Sequence, residues 1–515
     1  MTIGVATRLR EALQGPAYRW WALAAVECGH FVVYMDGFIV TLALPSMARQ
    51  FGVGIHEIKW VLVAYLAAMT VTLLLTGRMA DRWGRKPLTV VGIALLTLGA
   101  ALCTLAPTVS ALIAFRVLQG LGGALVLANV MAEITAVFPR EERRRAMAVN
   151  ASVLAMGQLT GLLLGGFLID RLGWRSIFPV IVAIGGIGLV LDVAVLRNRT
   201  TGASVPMDRY GGVLSVLIVG IPFLLIERLS RDLADPVGSV FLLAYLTLIG
   251  LFMVVERRSA SPLLDFRLFR SRAFTCGSIS AAFYFIVATF GYFLMPLYGQ
   301  VVLGLSPFLA GLVIVPLSVA LTISSQLVSR MAGRLSARLV STVGLLFTST
   351  GVLGMSLLGP NASYPFMIGL LILAGAGGGL FHPPNNSSVL GSVPPEELGQ
   401  ANGFFVTARS FGQAIGAALA AAILDQGLGA SGAAGALAHA RDALAGGPSI
   451  DAYVQAQAFA FRVGAALGMV GVVISAMRGG EIRLALSPGA KAEGVKQNIA
   501  DIQAEPSAAG DRPQE

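Results

Sequence analysis

The chain has 515 residues, of which 56% are hydrophobic and 12% charged, and its mean hydropathy is +0.78. A soluble domain does not reach these values, so lipid has to be its main solvent. The net charge of +10 would suit a nucleic-acid binder, but the basic residues are spread over short connections between apolar runs, which excludes that class.

A membrane helix needs ~20 apolar residues to cross ~30 Å of hydrocarbon, and lipid forces each such segment to satisfy its own backbone as a helix. Runs of that kind predict helices at 20 to 46, 57 to 77, 88 to 106, 109 to 138, 147 to 169, 174 to 196 and 210 to 228. They continue at 237 to 256, 274 to 299, 308 to 329, 339 to 358, 364 to 391, 401 to 424 and 457 to 477. The fold class is therefore an all-α integral membrane protein of fourteen spans. The first run follows Arg8, Arg10 and Arg19, but its length and its polar residues Glu27 and Asp36 mark a retained helix rather than a leader. The runs at 210 to 228 and 237 to 256 are the least regular, because Pro222 and Pro236 interrupt or flank them. Residues 425 to 456 read as a mobile Gly- and Ala-rich loop, and 479 to 515 as a disordered polar tail.

Basic residues alternate between the two sets of loops, nineteen on one side against seven on the other. This is the positive-inside pattern; it predicts a multi-pass protein of the cell (inner) membrane with both termini cytoplasmic, including the stretch 1–19. Cys28, Cys103 and Cys276 lie in separate segments without metal-ligand spacing, so neither a disulfide framework, a metal site nor a cofactor is expected. No nucleotide loop or catalytic cluster is present in the sequence, and an enzyme is not expected.

One loop recurs. Gly77-Arg78-Met79-Ala80-Asp81-Arg82 follows the second run, and Gly333-Arg334-Leu335-Ser336-Ala337-Arg338 follows the tenth, which divides the spans into six, two and six. The expected units are a six-helix bundle at 20–196, two linker helices at 210–256 and a second six-helix bundle at 274–478. With these residues, and with Trp83-Gly84-Arg85-Lys86 completing the loop, the chain resembles the major facilitator superfamily. Met35-Asp36-Gly37 with Ala43-Leu44-Pro45, and Arg116 with Gln119, Gly120, Gly122 and Gly123, are similar to first- and fourth-helix motifs of its fourteen-span drug:proton antiporter branch. That resemblance implies multidrug-type efflux of hydrophobic or amphipathic molecules by proton antiport and alternating access, with small molecules, protons and membrane lipids as partners and a monomer as the working unit. A dedicated exporter of an endogenous metabolite would carry the same motifs, and a non-transporting sensor or scaffold is the reading from another class.

The resemblance also implies a latch in which Gly77, Asp81, Arg82, Gly84 and Arg85 join the halves, with Glu133 as the local partner of Arg85. An ionisable group inside a span usually faces a wet cavity or a partner. Asp36 and Arg116 lie at equal depth, roughly 10–13 Å below the outer surface at ~1.5 Å per residue, so they are expected to pair. Glu27 shares a helix face with His30 and Tyr34, opposite Asp36, and either acid could be the main coupling group. Gln119 and Arg409 complete the candidate cavity, Arg409 facing it or bracing Asn402 and Gln413. Asp192 is expected to snorkel. Gly157, Gly161, Gly165 and Gly166 form a stripe that lets helices approach closely. Antiporters of the family carry Gly-Pro in this motif where the chain has Gly161-Leu162, so the helix is expected to keep its hydrogen bond there and to lose a bend.

Overall fold

The structure is a computed structural model that describes residues 18–198, 209–229, 236–258, 266–331, 336–394, 397–430 and 448–479. Among them are fourteen helices of 19 residues or more: α1 (Tyr18–Phe51), α2 (Trp60–Trp83), α3 (Arg85–Thr104), α4 (Val109–Val137), α5 (Arg140–Leu172), α6 (Ile177–Val195) and α7 (Arg209–Leu229). The series continues with α8 (Pro236–Arg258), α9 (Arg272–Val301), α10 (Pro307–Arg330), α11 (Ala337–Met355), α12 (Tyr364–Leu390), α13 (Leu398–Ala430) and α14 (Pro448–Ala476). Thirteen helices, every one but α7, are long and apolar enough to cross a membrane.

Local chemistry sets several boundaries. Thr108, Ser271 and Ser306 each accept a hydrogen bond from a backbone N–H three residues on, capping α4, α9 and α10. Gly84 separates α2 from α3 at φ +86°, a left-handed conformation that favours glycine. Apolar patterning sees only the lipid-buried part of a helix: α5 begins at Arg140 rather than at 147, its first turns carrying the charged residues that follow Pro139. For the same reason the stretch 425 to 456 is not one loop. α13 runs on to Ala430 and α14 starts at Pro448, a proline being well suited to a helix start. Residues 431–447, the second copy of the repeated loop at 333–335, the stretch 1–17 and the tail from 480 lie outside the described residues.

The first six helices and the last six pack by one plan. α1 packs on α5 and α6, α4 on α2 and α3, and α3 on α6; likewise α9 packs on α13 and α14, α12 on α10 and α11, and α11 on α14. Across the seam α5 meets α10 and α2 meets α13, which are equivalent contacts under the same plan. α7 lies against α2, α13 and α8, so it touches a helix of each set. α8 is peripheral, with Val240, Leu243 and Leu246 exposed along it, as expected of a lipid-facing helix. The end where α1 passes to α2, through a short helix at Ile55–Ile58, is called here the first-loop end.

Candidate functional site

Two buried polar clusters flank α1. On one side Arg116 of α4 donates through Nη1 to both oxygens of Asp36 at 2.7 Å and to Gln119 Oε1 at 2.9 Å. Its Nε donates to the carbonyl of Val61 at 3.1 Å, and the Tyr65 ring lies 4.1 Å from the guanidinium carbon. Cys103 of α3 adds a thiol donor to Gln119 Oε1 at 3.3 Å. Asp36, Arg116 and Gln119 are all 0% exposed. The pair is nevertheless not saturated: Arg116 Nη2 and Gln119 Nε2 have no hydrogen-bond partner among the described residues. A buried pair with an idle donor is stable as a pair but sensitive to the loss of either charge.

On the opposite side of α1, Asn150 of α5 donates Nδ2 to Glu27 Oε1 at 2.8 Å. His30 Nδ1 is 3.1 Å from Glu27 Oε2 and 2.8 Å from Asn150 Nδ2. A lone pair at Nδ1 accepts from Asn150 but faces the carboxylate oxygen, whereas an N–H at Nδ1 donates to the carboxylate, so the tautomer of the ring decides which contact is a hydrogen bond. The His30 ring makes an edge contact with Tyr34, centroids 4.8 Å apart.

Arg409 of α13 is half-buried and has a different environment. Its guanidinium carbon is 4.8 Å from the Phe285 ring centroid and 5.8 Å from that of Phe405. Tyr34 of α1 and Tyr284 and His382 of the last six helices are within electrostatic reach. The sequence left open whether this residue braces Asn402 and Gln413 or faces the space between the halves; both ring contacts come from the last six helices, and the electrostatic reach to Tyr34 of α1 favours the second.

The seam itself is closed towards the first-loop end. Gln158 Nε2 donates to Ser318 Oγ at 3.3 Å, and Phe38 makes an edge contact with Tyr292 at 5.2 Å. Beyond them Gln300 donates to the Leu42 carbonyl at 3.2 Å and the Phe308 N–H donates to Asp170 at 3.3 Å. At the rim Lys59, 4% exposed, reaches Glu227 of α7 at 2.8 Å and Asp425 of α13 at 3.3 Å; His56 Nδ1 lies 3.2 Å and 2.9 Å from the same two carboxylates.

The glycine stripe on α5 divides between two partners. A Cβ on Gly157, Gly161 or Gly165 would sit 2.9, 2.6 or 2.2 Å from Phe31 O, Met35 O or Ile39 Cγ1 of α1, whereas one on Gly166 would sit 2.5 Å from Phe308 Cα of α10. Gly311 of α10 in turn seats on the Leu162 carbonyl, 2.6 Å from where its Cβ would be. The departure from the antiporter motif thus lies on the inter-half contact.

Of the latch residues, Arg82 is exposed, Gly84 makes the break described above, and Arg85 begins α3. The surroundings of Gly77 and the side chain of Asp81 lie outside the described part of the structure. Glu133 is buried beside Ala22, Leu23 and Val26. Asp192 corrects the sequence reading: it does not snorkel but is 0% exposed, with both carboxylate oxygens lacking a hydrogen-bond partner among the described residues, and Glu133 and Lys86 act on it electrostatically. Helix packing against α3 and α1 turns it inward where a lone helix would let it reach the surface.

The family model described as Major Facilitator Superfamily matches residues 26–417. The chain belongs to that superfamily. It is 33% identical over 393 residues to the multidrug resistance protein Stp of Mycobacterium tuberculosis (strain CDC 1551 / Oshkosh), covering 75% of this chain and 72% of the relative. It is 32% identical over 398 residues to the puromycin resistance protein pur8 of Streptomyces alboniger, covering 76% and 79%. Among solved structures, a bacterial homolog of the human lysosomal transporter Spinster, in an inward-facing and unoccupied conformation, superposes with a TM-score of 0.62. That likeness covers 90% of this chain and 97% of the other at 17% identity, so it speaks for the fold.

Several residues of this superfamily member's site carry no motif. Tyr65, Asn150, Cys103 and Val61 reach the two clusters from α2, α5 and α3, and only packing brings them there. Asn150 had a signal of its own, an amide placed among apolar residues soon after a charged helix start. The rim cluster had a weaker one: Glu227, His56, Lys59 and Asp425 each sit at the end of an apolar run, where polar residues are ordinary.

Proposed function

We propose that this chain is a secondary exporter of hydrophobic or amphipathic small molecules, driven by inward proton flow and working by alternating access between the two six-helix sets. Multidrug and antibiotic resistance proteins at about one third identity support the efflux reading. The observation that carries proton coupling is the Asp36–Arg116 pair. Both groups are excluded from solvent, and protonating Asp36 would leave a buried guanidinium without its counter-charge, an arrangement with a different preferred packing. On this reading the protein lies in the cell membrane with both termini cytoplasmic and works as a monomer. The first-loop end is then the extracytoplasmic side, and the conformation described is closed to the outside.

A second reading places the exchanged proton on Glu27, a buried carboxylate whose two oxygens contact Asn150 and His30. Both are tested in proteoliposomes loaded with cargo under an imposed proton gradient. Asp36→Asn should abolish acceleration by the gradient while leaving downhill cargo movement. Undiminished gradient dependence in that variant, together with its loss in Glu27→Gln, would move the coupling site to Glu27. Cargo movement indifferent to the gradient in the unmodified protein would overturn antiport itself.

A further inference from the structure

The charges along the space between the halves are not balanced in what they offer to a ligand. Asp36 and Arg116 are paired with one another and excluded from solvent. Glu27 is 4% exposed, and its two oxygens are engaged by Asn150 and His30. Arg409 is the contrary case. Among the described residues no carboxylate forms an ion pair with it, although it is surrounded by protein and keeps only partial exposure. Its neighbours are aromatic: Phe285 and Phe405 against the guanidinium, His382 in edge contact with Tyr284 at 4.6 Å, and Tyr34 across the seam. Along α13 Arg409 stands about 16 Å from the first residue of the helix at ~1.5 Å per residue, far from the depth of a lipid headgroup.

Cation–π contact contributes only ~0.5–2 kcal/mol, which does not replace a counter-ion for a guanidinium at this depth. Water can fill that role while the space is open, but an anion bound there would be matched both by charge and by up to two parallel N–H donors. The flanking rings supply flat apolar faces for a fused-ring body.

Resting on the exporter reading above, we propose that the central site selects aromatic amphiphiles bearing an anionic group, carboxylate or sulfonate, and that Arg409 is the residue that binds this group while the rings around it hold the body. Cationic aromatic compounds are disfavoured, because the site offers them an unpaired positive charge and no free carboxylate.

The test uses three probes on one scaffold: anthracene-2-carboxylate, its neutral amide and the anthracen-2-yl trimethylammonium cation. Binding is measured by fluorescence to the full chain in phosphatidylcholine vesicles, whose headgroups carry no net charge and so do not compete as anions. The unmodified protein should bind the carboxylate at least tenfold more tightly than the cation. Arg409→Gln should weaken the carboxylate by about tenfold or more and change the amide least, and Arg409→Lys should restore part of the difference. Thermal melting of each variant confirms that it is folded. Equal or tighter binding of the cation by the unmodified protein, or an anion preference that survives Arg409→Gln in folded protein, would overturn the proposal. Gradient-driven flux of the bound probe is measured separately: binding with the expected charge preference but no flux would count against the exporter reading and leave the assignment of Arg409 standing.

Discussion

Arg116 and Arg409 are two guanidiniums in one bilayer-embedded chain, and the protein treats them in opposite ways. Arg116 is 0% exposed and held by a carboxylate, an amide and a backbone carbonyl, with an aromatic ring on its face. Arg409 has the aromatic rings without the carboxylate and remains half-buried. A fully desolvated charge needs an opposite charge at contact distance, whereas a charge that keeps water, or exchanges it for a ligand, does not. The difference sets an arginine built into the framework of the first six helices apart from one that, on the proposal above, meets the molecule in transit.

The comparison is broken most severely by removing Arg116. Arg116→Ala leaves Asp36 buried without a partner, and such a loss costs about 3–5 kcal/mol. Thermal melting in detergent should show a large fall, or no folded protein. Combining Asp36→Asn with Arg116→Met removes both charges and should regain most of that stability without regaining gradient-driven transport. Full stability of Arg116→Ala alone would mean that the pair is not held as described.

Glycine substitutions come next and separate packing within a half from packing between halves. At Gly161 a side chain meets the Met35 carbonyl, a backbone atom that cannot rotate away, so Gly161→Val should destabilise by about 1–3 kcal/mol. At Gly166 the obstruction is the backbone around Phe308, across the seam. Gly166→Val should therefore lower melting less than Gly161→Val while favouring opening at the first-loop end. Spin labels placed across that end would report the difference as a longer distance distribution.

Much of the fold could be read from the chain because lipid leaves few solutions: an apolar run of sufficient length becomes a helix, and its ends follow where polar residues resume. The Asp36–Arg116 contact was also legible, since both charges occupy equal depth in helices of known direction. Tyr65 was not, because its partner lies on another helix and nothing in its own neighbourhood distinguishes it, and the amide of Asn150 marked a polar position without naming its partners. Asp192 shows the limit from the other side. Its place near a helix end suggested an escape to the surface, but rotation about the helix axis is set by the neighbours that surround it, and it is enclosed. Gly166 likewise read as one of four equivalent glycines until its partner proved to be α10.

The rim cluster extends the comparison to charges that join the two sets of helices and α7. Lys59 and His56 come from the first set of helices, Asp425 from the second and Glu227 from α7, so opening this end must part them. Glu227 is 18% and Asp425 25% exposed, and partly solvated pairs of this kind contribute about 1 kcal/mol or less. Lys59→Met should thus shift the balance of access states by roughly fivefold towards opening, read from the same label distances. It also gives α7 a task, because Glu227→Gln should act in the same direction without touching either six-helix set. No change with either substitution would reduce the cluster to surface decoration.

The smallest effect on folding is expected at Arg409, and its smallness is what gives the comparison its force. Arg409→Gln removes two ring contacts worth about 0.5–1 kcal/mol each at a partly exposed site, but it also removes a charge that no carboxylate among the described residues pairs with. The two terms oppose one another, so the net change in melting should be within about 1 kcal/mol and of either sign. Arg116→Ala, by contrast, has no offsetting term. If Arg409→Gln were as destabilising as Arg116→Ala, Arg409 would have to be part of the framework, held by a partner that forms in the folded protein. A near-neutral melt together with altered cargo binding would separate the two arginines by function, in a protein where sequence distinguishes them only by the motif around one of them.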